Sequence, residues 1–524
     1  MTALLQKTTG IAIGYEIDTA NYRQLQAAWD RKFVRPGLKD ENEEDEDELE
    51  DWSDLQAGHS GRTSRNHYGL TGSILSAEAM KEFQKISTLW QNWAGIGPSH
   101  PPRSLFQVNN SSPAPTPPPE ERIALLNKAL IKLYSNPEPR WSCEEQRESI
   151  NAILDGISPL VCILPTDGGK TALIMLPSIL EPQQTSIIFT PYIALANDLL
   201  RHCTEVGLSY IRWQSTTRAL RASIIIVIID TGISADFILY LRDLQSEGRL
   251  ARTYFDEAHT LMTEQNFRPD MDLYARISLP VQKIHLTAIF PPSMKDFYEE
   301  RQLLFNPRPT YIRASSNRVN IQYTVKIMAD KDFFPNLVRF INEKIPTLVS
   351  DEKILIFCKT IEVIDTIVGL LNVFIYHSKE SDKESNLRRW IEGERDIMVA
   401  TGALGAGINI KGIKWVIHVE ETWGCIPFIQ ESGRGGREGG TFNSYTILSN
   451  ETKNRLEIRD RRSMTPDQLA LQNFLITPHC RRLVLTEYLD GSEMIKDCMA
   501  SNSVLCDNCQ NNGTGTRSQK RQRE

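Results

Sequence analysis

Residues 162–175 read CILPTDGGKTALIM: a short apolar run, a turn carrying two glycines, then an apolar stretch suited to a helix. A Gly-rich turn between a buried strand and a helix gathers backbone N–H groups at a helix N-terminus, where they cradle an anion. Thr166, Asp167, Gly168 and Gly169 form the turn. Lys170 follows at the position that reaches β- and γ-phosphates, and the Thr171 hydroxyl suits Mg²⁺. The expected ligands are therefore ATP and Mg²⁺. Asp167 works against them, because a carboxylate ~4 Å from a phosphate costs roughly 4 kcal/mol at an effective dielectric of 20. Mg²⁺, Lys170 or an outward-turned side chain would offset it.

Working outward, β-branched runs alternate with amphipathic stretches: PLVCILPT then KTALIMLPSIL, SIIFTP then ALANDLLRHCTEV, followed by ASIIIVIID, ARTYFDEAH and QKIHLTAIF. A second series runs KILIFC, VFIYHS, DIMVAT, KWVIHVE and NSYTIL. Such alternation predicts α/β architecture with parallel sheets covered on both faces. Two series predict two tandem lobes with a junction near residues 310–325. In YFDEAHT, Asp256 is placed to hold Mg²⁺ and Glu257 to orient or deprotonate water. In the second series VATGALGAGINI places Gly407 in a flexible turn beside the nucleotide. FIQESGRGGREGG places Arg434 and Arg437 on a Gly-punctuated segment expected to open a helix, with both guanidinium groups reaching across a cleft to the γ-phosphate.

The chain of 524 residues has a net charge of −7, but residues 40–51, DENEEDEDELED, hold ten acids; without them the remainder carries +3. Net charge therefore neither supports nor excludes a polyanionic partner. No apolar run reaches the roughly 18 residues of a membrane helix, and the first residues lack the pattern of a secretory signal. Four of nine cysteines, Cys480, Cys498, Cys506 and Cys509, gather late in the chain at spacings suited to a structural tetrahedral Zn²⁺. The expected partition is an N-terminal segment over residues 1–96, a Pro/Ser-rich linker over 97–120, lobes over 121–315 and 316–465, a zinc-binding segment over 466–510, and a basic tail over 511–524. That tail is a solvated end, a nuclear address or an element that steers the chain toward DNA.

Together LPTDGGKT, DEAH, HLTAIF, ILIFCKT, VATGALGAGIN and QESGRGGREG, in this order and spacing, resemble the RecQ-type DNA helicases of superfamily two. The wording SGRGGREG and LGAGINIKGIKWVIH is most similar to RecQ-like helicases found in many copies in fungal genomes. The resemblance covers roughly residues 125–510. It implies two RecA-like lobes, an adenine-reading glutamine at Gln146, contact with single-stranded DNA through Phe267 and Arg268 of the NFRP stretch, and a zinc segment running from CRRLVLTEYL through Cys498 to CDNC. It further implies ATP-driven 3′→5′ movement on single-stranded or partly duplex DNA in the nucleus, in DNA repair and recombination. The sequence departs from the family at Asp167, where glycine is usual, at TLMTEQNFRP, which lacks a central tryptophan, and at Thr287-Ala288-Ile289 in place of Thr-Ala-Thr. With the chain ending soon after the cysteines, no winged helix is expected in it. A catalytically impaired helicase fold that binds DNA or a partner stays open as a second reading, as does RNA as the substrate. In the N-terminal segment, His59 and Tyr68 resemble the end of a tyrosine recombinase, expected here as an inactive remnant or docking module.

Overall fold

The computed structural model describes residues 119–166, 168–229, 234–263, 281–304, 307–404, 410–436 and 439–512. The N-terminal segment, its acidic run, the linker, His59, Tyr68 and the basic tail lie outside them.

Among the described residues the chain forms two sheets in which all paired strands run parallel. Seven strands build the first: β1 (Leu160–Ile163), β2 (Thr185–Thr190), β3 (Tyr210–Arg212), β4 (Ile224–Ile228), β5 (Leu250–Phe255), β6 (Gln282–Thr287) and β7 (Thr310–Arg313). Their order is β3-β4-β2-β5-β6-β1-β7. β1 lies between β6 and β7, with Leu160 level with Ile284 and Thr310. Parallel pairing requires crossovers, supplied in part by α3 (Lys170–Leu180), α4 (Ile193–Val206) and α5 (Ala235–Ser246), while α1 (Pro119–Tyr134) and α2 (Glu144–Leu154) precede the sheet. One core joins Leu126, Leu130, Ile150, Leu173 and Leu176 of the helices to Cys162, Ile188, Ile226 and Ile284 of the strands. The Tyr254 hydroxyl satisfies itself inside this core by donating to the Leu173 carbonyl at 2.9 Å.

The second sheet has six strands: β8 (Ile321–Met328), β9 (Lys353–Cys358), β10 (Phe374–Tyr376), β11 (Ile397–Ala400), β12 (Ile413–Val419) and β13 (Phe442–Ser449), in the order β10-β11-β9-β12-β13-β8. KILIFC explains why both faces are covered. Successive side chains of a strand point to opposite faces. Leu355 and Phe357 enter one core, and Ile354, Ile356 and Cys358 enter the other. The second core is closed by Leu337, Phe340 and Ile341, on the helix Phe333–Lys344, and by Ile364 and Ile367. The first is closed by the helices Cys425–Ser432, Pro466–Ile476 and Arg481–Asp490, whose Phe428, Phe474, Leu485 and Leu489 share it with Cys498 and Cys506. The cysteine segment thus packs into the core of the second lobe. Residues 314–320 join the two sheets. No helix among the described residues is long and apolar enough to cross a membrane.

Candidate nucleotide site and cysteine centre

The turn after β1 is set by its glycines. Gly169 is the N-cap of α3 and holds φ at +77°. A Cβ there would lie 2.0 Å from Nε2 of Gln146. Gln146, fully buried in α2, is a strut for this turn: its Nε2 donates to the Gly169 carbonyl at 3.1 Å and to the Tyr134 hydroxyl at 3.4 Å, while its Oε1 accepts from the Ser142 N–H at 2.8 Å. The residue expected to read adenine therefore couples that region to the phosphate turn. Lys170 Nζ folds back onto the Leu164 and Pro165 carbonyls at 3.2 and 3.4 Å. Thr166 and Thr171 flank the turn, half-buried; Asp167 lies outside the described residues. Gly169→Ala is expected to cost about 1–3 kcal/mol, because the left-handed backbone is strained for alanine and Gln146 must leave. Thermal unfolding should shift down by several degrees and nucleotide affinity should fall with it; an unchanged melting temperature would contradict the strut.

Asp256 begins the turn after β5, with its N–H on the Phe189 carbonyl at 2.9 Å. Burial first, and the neighbouring Glu257 charge second, push its carboxyl up to about 7, while the Lys170 ammonium pulls it down. Lys170 and Asp256 therefore share one electrostatic site at the carboxyl ends of the strands, where ligands of parallel sheets are bound. A bound divalent cation favours the ionised form that burial opposes. Glu257 holds φ at +49°, a left-handed conformation that a non-glycine residue adopts at a cost and that clusters at functional sites.

Glu257 leads to a relay that sequence reasoning missed. His259 is buried. Its Nδ1 lies 3.3 Å from Glu257 Oε2 and 3.0 Å from Thr287 Oγ1. Its Nε2 lies 2.5 Å from the side-chain amide nitrogen of Gln430, in the second lobe. Gln430 can only donate through that nitrogen, so Nε2 accepts and the ring proton sits on Nδ1. Thr287 agrees with this assignment, since its hydroxyl donates to the Ile289 carbonyl at 2.9 Å and so accepts from Nδ1–H. The Glu257 carboxylate of one lobe is thus two contacts from the other lobe. The signal was present as the histidine of DEAH and the glutamine of QESGRGG, but neither carries its partner in local sequence.

The second lobe corrects one expectation. The segment bearing Arg434 closes a helix instead of opening one: Cys425–Ser432 is helical, Gly433 is its C-cap, and the chain then runs toward β13. The glycines 433, 435 and 436 stop the helix and let the backbone pass close to Phe442, against which a Cβ at Gly435 would lie at 2.4 Å. Arg434 is 6% exposed and lies within electrostatic reach of the Tyr376 phenol. Arg437, Gly407, Phe267 and Arg268 lie outside the described residues.

All four late cysteines converge, their sulfurs within 4.8 Å of one another. Cys480 and Cys498 Sγ are 3.5 Å apart, and Cys480 and Cys506 Sγ 4.0 Å. These distances exclude a disulfide, which needs about 2.05 Å. They match the roughly 3.8 Å edge of a tetrahedron with ~2.3 Å metal–sulfur bonds. Neighbouring thiols hold the Cys506 thiol below its usual range and push that of Cys498 above it, and burial raises that of Cys509, so the cluster favours a single thiolate unless a cation joins it. The residues fit a structural Zn²⁺ closed by protein on every side.

Around this centre Arg481 ties the cysteine segment together, while Arg482 and Asp490 grip the junction between the sheets. Arg481 pairs with both oxygens of Asp507 at 2.6 and 2.9 Å. Arg482, 1% exposed, donates to Asn317 Oδ1, to the Arg318 carbonyl at 2.8 Å, and to the Ile321 and Val504 carbonyls. Asp490 accepts the Ser316 N–H at 3.0 Å and the Ser315 hydroxyl at 2.9 Å. Arg318 in turn donates to the carbonyls of Gly433, Gly435 and Gly436, each at 3.3 Å.

Comparison with known proteins agrees with this arrangement. Residues 143–297 match the DEAD/DEAH box helicase family and residues 336–439 the helicase conserved C-terminal domain. Over 409 residues the chain is 27% identical to the RecQ-like DNA helicase BLM of Xenopus laevis, covering 70% of this chain and 29% of that protein. It is 26% identical over 323 residues to the ATP-dependent DNA helicase Q-like 2 of Arabidopsis thaliana, covering 56% and 45%. The chain thus spans less than half the length of these relatives. A solved structure of the DEAD-box helicase Mss116 with single-stranded RNA and UDP-BeF shares the fold at a TM-score of 0.52 and 15% identity, over 66% of this chain and 77% of that one. With two parallel-sheet lobes, the phosphate turn facing the DEAH carboxylates and a four-cysteine centre behind them, the chain carries the paired DEAD/DEAH box and conserved C-terminal helicase domains, and its similarity to curated proteins is to RecQ-like helicases.

Proposed function

We propose that this chain couples ATP hydrolysis to 3′→5′ movement along single-stranded DNA in the nucleus, serving DNA repair and recombination. The observation that carries the reading is the contact of His259 with Gln430, which ties the state of Glu257 to the position of the second lobe. In the proposed cycle Lys170 leaves the Leu164 and Pro165 carbonyls for the β- and γ-phosphates. Thr171 and Asp256 hold Mg²⁺, which supplies charge neutralisation on the phosphates. Glu257 orients the attacking water, and Arg434 and Arg437 come to the γ-phosphate as the lobes close. Phe267 and Arg268 contact the strand, and Cys480, Cys498, Cys506 and Cys509 hold a structural Zn²⁺.

A second reading, a helicase fold that binds DNA or a partner without turnover, is favoured by one residue, Asp167 in the phosphate turn. ATPase measurements on wild type, Lys170→Ala and Asp167→Gly separate the two, each with and without single-stranded DNA or RNA. The motor reading expects turnover in wild type that DNA stimulates, near-complete loss in Lys170→Ala, and a modest gain in Asp167→Gly. Silent wild type with active Asp167→Gly would establish the second reading. Stimulation by RNA alone would reassign the substrate.

A further inference from the structure

β9 and β12 are neighbours whose carboxyl ends are level, Val419 pairing with Cys358. Lys359 follows one strand and residues 420–424 follow the other, on the sheet edge where parallel α/β folds bind ligands. Trp423 stands on this edge 65% exposed, and Lys359 Nζ sits 4.5 Å from the centre of its ring. Beneath it the buried Glu421 pairs with three cations: Lys359 at 3.6 Å, Arg455 at 3.2 Å and Arg459 at 3.5 Å. The indole is not exposed because its loop is loose. The Glu420 carboxylate accepts the Ser449 N–H at 3.2 Å, and the Thr422 hydroxyl donates to the Gly424 carbonyl at 3.0 Å. Asp467 accepts the Ile426 N–H at 2.9 Å, and a Cβ at Gly424 would lie 1.9 Å from the second oxygen of Asp467. A fixed loop therefore holds out a large flat ring among cations.

We propose that Trp423 is a base-stacking platform for single-stranded nucleic acid, with Lys359, Arg455 and Arg459 taking the flanking phosphates. An aromatic face inside a basic rim is the chemistry by which single strands are held without sequence preference, and the cations add to it through the ring and the backbone. The site rests on the proposed motor function and deepens it. The Trp423 loop runs directly into the helix Cys425–Ser432, whose Gln430 touches His259. A base seated on Trp423 is therefore one short rigid helix away from the carboxylate that positions water.

The test uses the full chain and fluorescence anisotropy at fixed salt, with labelled oligo-dT and oligo-U of about 15 nucleotides, within the site size of such platforms, and an abasic strand of equal length. Trp423→Ala should weaken binding of oligo-dT and oligo-U by roughly 5- to 100-fold, the worth of one stacked base. Trp423→Phe should restore most of that loss. Binding of the abasic strand should be the same in wild type and Trp423→Ala. Lys359→Ala should instead weaken all three strands and flatten the salt dependence by about one charge. Wild-type affinity of Trp423→Ala for oligo-dT, or an equal loss on the abasic strand, overturns the platform while leaving the motor reading intact. A wild-type chain that binds none of the strands overturns both.

Discussion

Glu257→Gln is expected to lower ATP turnover by about 10²- to 10⁴-fold, the usual worth of a positioned general base, with nucleotide affinity held within a few-fold. The reasoning is local. Glutamine keeps the size of the side chain and tolerates the same backbone, but it cannot take a proton from water. Lys170, Thr171 and Asp256 are untouched, so binding survives while chemistry stops. Two consequences separate this from a folding defect. Loss of the Glu257 charge removes the second cause of the raised Asp256 carboxyl, so that group should titrate lower in the variant. The His259 Nδ1–H keeps Thr287 Oγ1 as an acceptor at 3.0 Å, so the contact with Gln430 should persist and the melting temperature should barely move. Single-turnover kinetics measure the loss of chemistry, equilibrium binding of a non-hydrolysable analogue the retained affinity, and thermal unfolding the retained fold. Turnover above about a tenth of wild type would remove Glu257 from the role of base.

What the sequence made legible follows from which interactions are local. KILIFC and PLVCILPT read as strands buried on both faces because their apolar runs are short and bounded, and the two sheets carry them. The glycines of the phosphate turn and the adjacent carboxylates of DEAH are each compact in sequence, so their chemistry was readable before their geometry. The four cysteines were readable as donors, and the structure brings Cys498 fully into the buried cluster. Long-range pairings were not readable. Gln146 reaches Gly169, His259 reaches Gln430, and Arg482 reaches Arg318, partners 23, 171 and 164 positions away; no periodicity encodes such distances. One clue was available. CRRLVLTEYLD puts Arg481 and Arg482 on a helix with Leu485 and Leu489, and cations on a helix that must be buried demand partners. The misplaced helix at QESGRGGREGG has the same origin, since a Gly-rich stretch suits a helix end as well as a helix start, and only the packing of Gly435 against Phe442 decides which.

Cys506→Ser is expected to abolish zinc binding, unfold residues 480–512 and loosen the junction between the lobes. Structural zinc sites of four thiolates contribute on the order of 10 kcal/mol to local folding, more than the small remainder of core around Cys498 and Cys506 can replace. The helix Arg481–Asp490 stands between this centre and the junction: Arg482 and Asp490 hold residues 315–321 by charged hydrogen bonds, and Val504 donates to the Val319 carbonyl at 2.9 Å. If the metal fixes that helix, its loss must be felt at both ends. Metal analysis should fall from about one zinc per chain to none. Hydrogen exchange should rise both in 480–512 and in 315–321, and limited proteolysis should cut within the cysteine segment. Asp490→Asn provides the control. It weakens the hold on Ser315 and Ser316 but leaves the cysteines alone, so exchange should rise at the junction with zinc retained. Wild-type protein purified without metal yet fully protected in 480–512 would mean that packing of Cys498 and Cys506 into the second core, not a metal, holds the segment. Protection lost in the cysteine segment with the junction unchanged would instead mean that Arg482 and Asp490 hold the junction independently of the cysteine centre.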